Sequence, residues 1–426
     1  MKILIIGNGG REHALAWKIQ QSYLAKKVFI APGNGGTQLE KKIFNIDIPV
    51  TNINALVMFA KREKIHLTIV GSEIPLNMGI VDAFVKHGLK IFGPTKKAAQ
   101  LESSKLFGKK FLLKYKIPTA RYKFFDEPKS AINFVEKIRC PIVIKVDGLA
   151  AGKGVMIVHS IHEAKNTIEK IMVHKIFGNA GKIILIEEFI LGEEVSFIGI
   201  IDGKVFLPVA MSQDHKRIGE NDSGANTGGM GAYSPVPFVT KKIYKNIIKN
   251  ILTPTLKGLR KEKIFYTGFL YIGLMINKFG YSKVVEFNCR LGDPETQVIL
   301  IRLRSDLLKI LIEAINHNLY QKFLVWNYKV AICTIIASRD YPNKVHVGEI
   351  IQGYPQKTPN DIKIFHSSTM INKKNLLVTT GGRVLCVTAL GKNIIIAKKN
   401  VDIFLKKIYW ENSFFRRDIG FRIIKN

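Results

Sequence analysis

The most informative part of the chain is the stretch VVEFNCRLGDPET, residues 284–296. In its first half apolar and polar residues alternate, which is typical of a half-buried β-strand. Side chains two positions apart lie on one face of a strand, so Glu286, Asn288 and Arg290 share a face. Carboxylate and amide oxygens suit Mg²⁺ that also holds phosphate oxygens, and a nearby arginine suits a phosphate or carboxylate. The stretch therefore predicts a strand that presents a magnesium and phosphate site.

The opposite face of this strand carries Val285, Phe287 and Cys289, which we predict to point into a core. The strand ends at residues 292–295, GDPE, a turn that could bring further polar groups into the same site. Taken alone, the alternation is also typical of an edge strand whose polar face lies in solvent. The glycine-rich segments upstream favour the binding site.

Length and composition indicate an ordinary soluble protein. The 426 residues suffice for two to four domains and a sizeable core, and 47% of them are hydrophobic. No apolar stretch approaches the roughly 20 residues of a membrane helix, and the apolar run at 3–6 ends at Gly7, so we expect no signal peptide. The four cysteines are scattered without metal-ligand spacing. We therefore expect reduced thiols in a cytoplasmic protein.

The formal net charge of +32 is the most unusual feature of the composition. Such a charge suggests a nucleic-acid partner. The lysines and arginines are spread along the whole chain, however, with no basic tail and no basic patch interleaved with aromatic residues. We expect a solvated basic surface and no nucleic-acid or membrane partner, with a basic nucleic-acid-binding protein kept as the alternative of another class.

The N-terminal residues predict an anion site. A strand at 2–6 runs into a glycine turn at 7–10 and then into a helix at 12–20. Free N–H groups and the helix dipole both face such a turn, which favours a bound anion. The third glycine of a dinucleotide fingerprint would fall at position 12, which is Glu12, so the motif is incomplete. A tight turn that binds nothing remains an alternative.

Further strands alternate with helical patterns in the first hundred residues, and each strand ends in a glycine-containing turn. This order predicts a parallel, doubly wound sheet, in which such turns meet at the carboxyl edge where ligands bind. The strands are predicted at 28–31, 67–70 and 90–92 and the helices at 54–63 and 80–87.

A lysine lies inside the apolar strand predicted at 141–147. Burial of Lys145 there is costly unless its ammonium group meets an anion. The segment GLAAGKG, residues 148–154, superficially resembles a P-loop but has the wrong glycine spacing and no hydroxyl for Mg²⁺. Since strand character resumes at 155–158, we predict a mobile flap that closes over phosphates; a plain hairpin loop is the alternative.

Four acids follow the strand predicted at 183–186. They could bind ribose hydroxyls and adenine edges, or they could form a solvated rim. The next strands, 195–201 and 205–209, predict a hairpin that turns at Asp202-Gly203. The four acids are Glu187, Glu188, Glu193 and Glu194.

A long glycine-rich loop is predicted at 213–233, and loops of this kind are usually functional. Its His215 is interpreted as a hydrogen-bonding residue, not a metal ligand. Strands at 266–276 and 283–289 then predict an antiparallel pair. After about residue 327 we predict a third unit without a catalytic constellation. It has strands at 328–337 and 383–389 and an amphipathic helix at 393–408.

These motifs together closely resemble the phosphoribosylamine–glycine ligase (glycinamide ribonucleotide synthetase) family of ATP-grasp enzymes. The resemblance spans nearly the whole chain, and its last three large motifs are highly specific. It rests on IGNGGREH (6–13), APGN (31–34), KVDGLAAGKG (145–154), SQDHKR (212–217), NTGGMGAYSP (226–235) and EFNCRLGDPET (286–296), with GGRVL (381–385) and RDIG (417–420) in the tail.

The resemblance implies an α/β and α+β multidomain fold. Residues 1–103 would form an N-terminal Rossmann-like domain with a doubly wound parallel sheet. Residues 104–327 would form the ATP-grasp domain, with a flexible lid at about 123–192, and residues 328–426 a small C-terminal α/β domain. We expect a monomer.

The resemblance also implies the reaction. ATP, glycine and 5-phosphoribosylamine would give ADP, phosphate and glycinamide ribonucleotide through a glycyl phosphate, a step of de novo purine biosynthesis. ATP would be a co-substrate, and Mg²⁺ or Mn²⁺ the metal. Another ATP-grasp carboxylate–amine ligase is the nearest alternative, because it would share the metal strand and the flap.

Site residues carried over from the resemblance fall into four sets. The metal would be held by Glu286 and Asn288, and the catalytic residues would be Lys145, Arg290 and Asp293. ATP would be bound by Lys105, Lys145, Gly152, Lys153, Gly154, Glu187, Glu188, Phe189, Ile190 and Glu194. The substrates would be bound by Gly9, Gly10, Asp214, Lys216, Arg290, Gly292, Pro294, Glu295 and Thr296, with Asp214, Lys216 and the first glycine loops facing phosphoribosylamine.

Overall fold

The computed structural model describes residues 1–150 and 154–424. The first domain is a five-stranded parallel sheet of order β3-β2-β1-β4-β5 with helices between successive strands, as the alternating pattern predicted. Its strands are β1 (Lys2–Gly7), β2 (Lys27–Pro32), β3 (Ile43–Asn45), β4 (Leu67–Val70) and β5 (Ile91–Phe92). Its helices are α1 (Gly10–Ile19), α2 (Gly35–Gln38), α3 (Ile53–Arg62), α4 (Glu73–Met78), α5 (Ile80–Lys86) and α6 (Lys96–Ser103).

Strand β1 lies at the centre of this sheet and is buried on both faces. Ile3 and Ile5 pack into one hydrophobic cluster, while Leu4 and Ile6 pack into another on the opposite side. A continuous apolar run is what a parallel strand covered by helices on both faces requires. The run at 3–6 is therefore a core strand, and its glycine exit lies at the carboxyl edge of the sheet.

The central part of the chain forms two antiparallel sheets. One has the order β11-β10-β16-β17, and the other, the lid sheet, has the order β6-β9-β7-β8. The strands are β6 (Tyr122–Phe125), β7 (Ile142–Val146), β8 (Val155–Val158), β9 (Ile184–Glu188), β10 (Glu193–Asp202), β11 (Phe206–Pro208), β16 (Thr267–Ile276) and β17 (Ser282–Asn288). The helices are α7 (Lys105–Lys114), α8 (Pro128–Val135), α9 (Ile161–Ile168), α10 (Lys241–Ile247), α11 (Thr253–Lys261), α12 (Glu295–Arg302) and α13 (Leu307–Ile315), with short turns at Glu169–Val173, Gly178–Gly181, Glu220–Asp222 and Ile248–Leu252.

A bulge in β17 changes one predicted orientation. The register with β16 shifts at Val285, so Val284 packs in the core while Val285 lines a cavity. The core position predicted for Val285 is therefore wrong, because alternation cannot show where a strand inserts an extra residue. The burial predicted for Phe287 and Cys289 is confirmed, and Glu286 lies on the opposite face.

The region predicted as one long loop at 213–233 contains four short strands, which corrects that expectation. Two of them, β12 and β15, join the C-terminal sheet of order β12-β15-β18-β22-β19, to which β23 also pairs through β18. The strands are β12 (Gln213–Asp214), β13 (Arg217–Gly219), β14 (Ser223–Asn226), β15 (Gly231–Ser234), β18 (Val330–Ser338), β19 (Ile362–His366), β20 (Thr369–Ile371), β21 (Leu377–Thr379), β22 (Arg383–Gly391) and β23 (Ser413–Phe414), and the helices are α14 (Ile394–Leu405) and α15 (Phe421–Ile424).

The cysteines are all free thiols, as expected from their spacing. Cys289, Cys333 and Cys386 are buried and Cys140 is partly buried. In the ranges 1–150 and 154–424, none of the helices is long and apolar enough to cross a membrane.

Glu40 ties the first domain to the C-terminal sheet. Its carboxylate lies 3.4 Å from His13 Nε2, accepts a hydrogen bond from Gln20 and forms an ion pair with Lys363 on β19. Burial would raise the pKa of Glu40, but His13 and Lys363 outweigh it and lower the pKa to about 2. The contact therefore stabilises the ionised carboxylate between the two units.

We expect Glu40→Gln to lower the free energy of unfolding at pH 7 by about 1–3 kcal/mol. The folded pKa of about 2 is below the ordinary value of 4.5, so this stabilisation is full above that value and is lost as the pH falls toward 2. Urea unfolding at pH 7 and pH 3 measures the effect, and the difference between parent and variant should shrink at pH 3. Glu63→Gln, which removes a surface pair with Lys2, is the control and should change stability much less. An equal difference at both pH values would contradict the assignment.

Candidate active site

A cavity of about 610 Å³ lies between the first domain, the lid sheet and β17. Each unit of the chain contributes to its wall. Representative lining residues are Arg11 and Glu73 from the first domain, Lys145 and Glu187 from the lid sheet, Glu286 and Asn288 from β17, Asp214 from β12 and Arg383 from β22.

The polar face of β17 opens into this cavity, as the alternation predicted. Glu286 lies 3.1 Å from Lys105 Nζ and 3.8 Å from Lys216 Nζ, and Asn288 Nδ2 donates to Glu286 Oε1 at 3.3 Å. Burial would raise the pKa of Glu286, but the ammonium groups of Lys105, Lys216 and Lys145 hold it well below its ordinary value. Glu286 is therefore an ionised carboxylate inside the cleft.

Glu286 and Asn288 fit a hard divalent cation. The Asn288 amide donates through nitrogen, which leaves its oxygen available beside the ionised carboxylate. In the described parts of the chain, no group of three or more His, Cys, Asp and Glu residues could hold a metal ion. Two protein oxygens completed by phosphate and water oxygens are the ligand set that Mg²⁺ usually accepts.

Lys145 meets an anion, as its position in an apolar strand predicted. Its Nζ lies 2.9 Å from Glu187 Oε2 and 3.3 Å from the Val285 carbonyl oxygen, while Lys109 Nζ lies 3.1 Å from Glu187 Oε1. Burial lowers the pKa of Lys109 to about 8, although Glu187 opposes the shift. Burial would raise the pKa of Glu187, but the two lysines lower it. Glu187 thus fixes the Lys145 ammonium group at the cavity wall.

The segment after β9 forms the outer part of the cavity. Phe189 and Ile190 line it directly. Glu188 pairs at the rim with Lys283 and Arg121, which outweigh the effect of burial and lower its pKa to about 2.

Farther along the wall, Glu194 forms an ion pair with Lys216, whose Nζ lies 2.5 Å from Glu194 Oε1. Burial would lower the pKa of Lys216, but Glu194, Tyr271 and Glu286 raise it well above its ordinary value. Lys216 therefore remains a cation between Glu194 and Glu286.

Arg290 is held in place by acids of the first domain. Its guanidinium lies 3.2 Å from Glu73 and 2.9 Å from Glu102. Glu73 Oε2 also accepts a hydrogen bond from Arg11 Nη2 at 3.3 Å, so one carboxylate connects two arginines at the cavity wall. Arg11 in turn donates to the Leu291 carbonyl oxygen at 3.0 Å. This arrangement orients cationic groups toward the turn that follows β17.

The predicted anion site at the start of α1 is occupied by carboxylates of the protein itself. The Gly9 N–H donates to Glu12 Oε2 at 2.7 Å, and the Arg11 N–H donates to Asp293 Oδ2 at 3.4 Å. Asp293 also accepts Gln297 Nε2 at 3.0 Å. The glycine turn at 7–10 therefore packs against the turn after β17.

Comparison with known proteins agrees with this arrangement. Three family models for phosphoribosylglycinamide synthetase match consecutive parts of the chain: the N domain at residues 1–102, the ATP-grasp (A) domain at 103–296 and the C domain at 331–422. The chain belongs to the phosphoribosylglycinamide synthetase family.

Curated relatives agree with the family over the whole length. The phosphoribosylamine–glycine ligase of Haemophilus influenzae is 50% identical over 425 residues, covering 100% of this chain and 99% of the relative. The enzyme of Escherichia coli strain K12 shows the same identity and coverage. The crystal structure of the Thermotoga maritima phosphoribosylamine–glycine ligase superposes with a TM-score of 0.83 at 32% identity, covering 99% of this chain and 100% of that one.

A more distant structure shares the fold. Biotin carboxylase from Campylobacter jejuni superposes with a TM-score of 0.73 at 14% identity, covering 100% of this chain and 95% of that one. The ATP-grasp (A) domain model at 103–296 shows that the central sheets of this chain form an ATP-grasp fold, as the resemblance implied.

Most sequence-predicted site residues converge on the cavity wall. The exceptions among the described residues, which do not line it, are Lys105, Gly9, Gly10, Gly154, Pro294 and Thr296. Thr296 is fully buried, and its hydroxyl donates to the Gly292 carbonyl oxygen at the start of α12. Gly152 and Lys153 lie outside the described residues.

Sequence reasoning missed several residues of the site. Arg11 directly follows the predicted glycine turn, and that position was the only local signal for it. Arg383 and Arg422 come from the C-terminal unit, for which no catalytic constellation was expected, yet both line the cavity. Glu73 lies in the glycine turn after the strand at 67–70, which was its only local signal, because its contact with Arg290 crosses domains.

Arg383 connects the C-terminal sheet to two active-site turns. Its Nη1 donates to the Asp293 carbonyl oxygen at 2.8 Å and to the Gly228 carbonyl oxygen at 2.5 Å. Burial would lower the pKa of Arg383, but nearby carboxylates, chiefly Asp293, raise it. Arg383 therefore remains a cation that fixes the turns at 228–229 and 293 relative to each other.

We expect Arg383→Lys to fold but to reduce kcat/KM by roughly 10- to 100-fold, because the flexible, strongly hydrated lysine ammonium would hold the two carbonyl oxygens that Nη1 bridges less rigidly. Steady-state kinetics and the urea unfolding midpoint measure activity and stability separately. Arg339→Lys, at an exposed position of the same unit, is the control. An Arg383→Lys enzyme with parental kcat/KM would show that the contact does not position the site.

Proposed function

We propose that the chain catalyses the ATP-dependent ligation of glycine to 5-phosphoribosylamine, giving glycinamide ribonucleotide, ADP and phosphate. The observation that carries this proposal is 50% identity over the full length with curated phosphoribosylamine–glycine ligases. The cavity supports it, since cations for phosphates, oxygen donors for a metal and carboxylates for amines all line it. The reaction belongs to purine biosynthesis.

ATP would lie between the lid sheet and β17. Phe189 and Ile190 would contact adenine, and Glu194 would accept ribose hydroxyls. Lys145 and Lys105 would contact phosphates, because both ammonium groups lie against the β17 side of the cleft. Gly152, Lys153 and Gly154 would bind those phosphates, as the resemblance implies. A bound phosphate would compete for these lysines with their present carboxylate partners.

The metal would be held by Glu286 and Asn288. A divalent cation there, Mg²⁺ or Mn²⁺, would neutralise negative charge on phosphate oxygens during transfer. The rest of the metal shell would come from phosphate and water oxygens, since β16, the neighbouring strand, carries no acid.

The chemistry would occur in two displacements. A glycine carboxylate oxygen attacks the γ-phosphorus of ATP, the bond to the β-phosphate oxygen breaks, and ADP leaves. The nitrogen of phosphoribosylamine then attacks the acyl carbon, phosphate leaves with the bonding electron pair, and the nitrogen loses a proton. Arg290, held by Glu73 and Glu102, would stabilise the negative charge of the glycyl phosphate. Positioning dominates the first step because the glycine carboxylate is already the nucleophilic anion.

Phosphoribosylamine would approach from the first domain. We keep Gly9 and Gly10 as the proposed site of its phosphate, with Arg11 beside them. There the phosphate would compete with the Glu12 and Asp293 carboxylates for N–H groups at the start of α1. Asp293, with Gly292 and Pro294, would shape the turn between this subsite and the glycyl phosphate. The domain boundaries at 103 and 327, the movement of the lid at about 123–192, the monomeric state and the cytoplasmic location remain predictions.

We expect purified protein to release phosphate from Mg-ATP only when glycine and phosphoribosylamine are both present. A coupled phosphate assay with single omissions measures this, and chelation of divalent cations should abolish the release, with Mg²⁺ or Mn²⁺ restoring it. Phosphate release with a different carboxylate–amine pair would indicate another ATP-grasp ligase.

Glu286→Gln should lower kcat by roughly 100-fold or more, because an ionised ligand for the metal and its phosphates becomes neutral. The metal concentration that gives half-maximal rate should also rise. Glu220→Gln, at an exposed turn, is the matched control. Near-parental kcat and metal dependence in Glu286→Gln would reject the metal assignment.

A further inference from the structure

Lys109 on α7 is a buried lysine to which the proposed reaction gives no role. Its Nζ lies 3.1 Å from Glu187 Oε1, while Lys145 Nζ lies 2.9 Å from Glu187 Oε2. The side chains of all three residues are 4% exposed. Lys145 and Glu187 line the cavity, whereas Lys109 does not. One carboxylate is therefore shared by two ammonium groups, and only one of these belongs to the cavity wall.

Hydrogen bonds hold both lysines to the bulged part of β17. Lys109 Nζ donates to Thr119 Oγ1 at 2.7 Å, and Thr119 Oγ1 donates to the Val284 carbonyl oxygen at 2.7 Å. Lys145 Nζ donates to the carbonyl oxygen of the next residue, Val285, at 3.3 Å. The two ammonium groups thus have fixed positions relative to the same two residues of β17.

The charges of this cluster do not cancel. Burial would raise the pKa of Glu187, but Lys145 and Lys109 lower it, so the carboxylate is ionised. Glu187 Oε1 accepts no hydrogen bond among the described residues, so its contact with Lys109 is one of charge. Two ammonium groups around one carboxylate leave a formal charge of +1. Without the charge of Lys109, the Glu187 carboxylate would offset Lys145 completely.

We propose that Lys109 is a positioning residue for the phosphates of ATP. By offsetting the charge of Glu187 from outside the cavity, it leaves the positive charge of Lys145 available to a phosphate. The assignment rests on the proposed function, in which Lys145 contacts ATP phosphates. Lys109 itself would not touch ATP, because its partners are Glu187 and Thr119 and it does not line the cavity.

The first test compares ATP with adenosine in Lys109→Met, which keeps a long side chain but removes its charge. We expect the Kd of Mg-ATP, measured by calorimetry without the other substrates, to rise about 10-fold or more, because the phosphates then meet a neutral ion pair. The Kd of adenosine, which has no phosphate, should stay within about twofold of the parent value. Lys110→Met, at the exposed neighbouring position of α7, is the control and should change neither Kd.

The parent enzyme allows a second test, which does not depend on the folding of a variant. Burial lowers the pKa of Lys109 to about 8, and Lys145 and Lys105 act in the same direction, while Glu187 opposes the shift. Tyr122 also faces Lys109, with its ring centroid 5.4 Å from Nζ, and burial raises the pKa of this tyrosine. Lys109 therefore loses its proton as the pH rises through about 8.

We expect the parent Kd for Mg-ATP to rise severalfold between pH 7 and pH 9, toward the value of Lys109→Met. The Kd of Lys109→Met should change much less over this range, because the group that titrates is absent. The Kd of adenosine should stay constant in both proteins. The triphosphate keeps its charge here, since the last pKa of a phosphate group is about 6.

Three results would overturn the proposal. They are a folded Lys109→Met that binds Mg-ATP like the parent, a folded variant in which ATP and adenosine weaken by the same factor, and a parent Kd for Mg-ATP that does not change between pH 7 and pH 9. A parent enzyme that binds Mg-ATP but shows no glycine-dependent phosphate release would instead reject the proposed function. The two failures are therefore distinguishable.

Discussion

The structure depends on pairing buried carboxylates with cations supplied by distant parts of the chain. An ionised carboxylate taken out of water costs several kcal/mol unless a partner compensates it. Glu286 on β17 is compensated by Lys105 at the start of α7 and by Lys216 after β12. Arg290 is compensated by Glu73 and by Glu102 of the first domain. The separate units are thus joined at the cleft by the charges that we propose the reaction uses.

The pairing also places cations before a substrate arrives. Lys145 is fixed against the lid sheet by Glu187, and Lys216 is fixed by Glu194. A phosphate bound as we propose would meet ammonium groups that are already oriented, so little side-chain ordering would remain to be done on binding. Preoriented charge of this kind stabilises a developing anion more effectively than mobile charge does.

Local pattern predicted the elements well but not their partners. The strands at 67–70 and 155–158 match the observed ones, because alternation and glycine turns are properties of adjacent residues. The bulge at Val285 was missed, since its position is set by pairing with β16. The short strands within 213–233 were missed for a related reason. Strands β12 and β15 pair with one another, and β18, about a hundred residues later, extends that sheet.

Asp214 and Glu295 line the cavity, but among the described residues no Lys, Arg or His nitrogen lies within 4.0 Å of either carboxylate. The chain has 65 lysines and arginines against 33 aspartates and glutamates, so an acid in the interior should readily find a basic partner. Asp214 and Glu295 lie in a cleft that several lysines and arginines line, yet those cations are bound to other groups. A scarcity of basic residues cannot explain this arrangement. The fold directs these cations to other partners, so composition alone does not decide which acids of the cleft are paired.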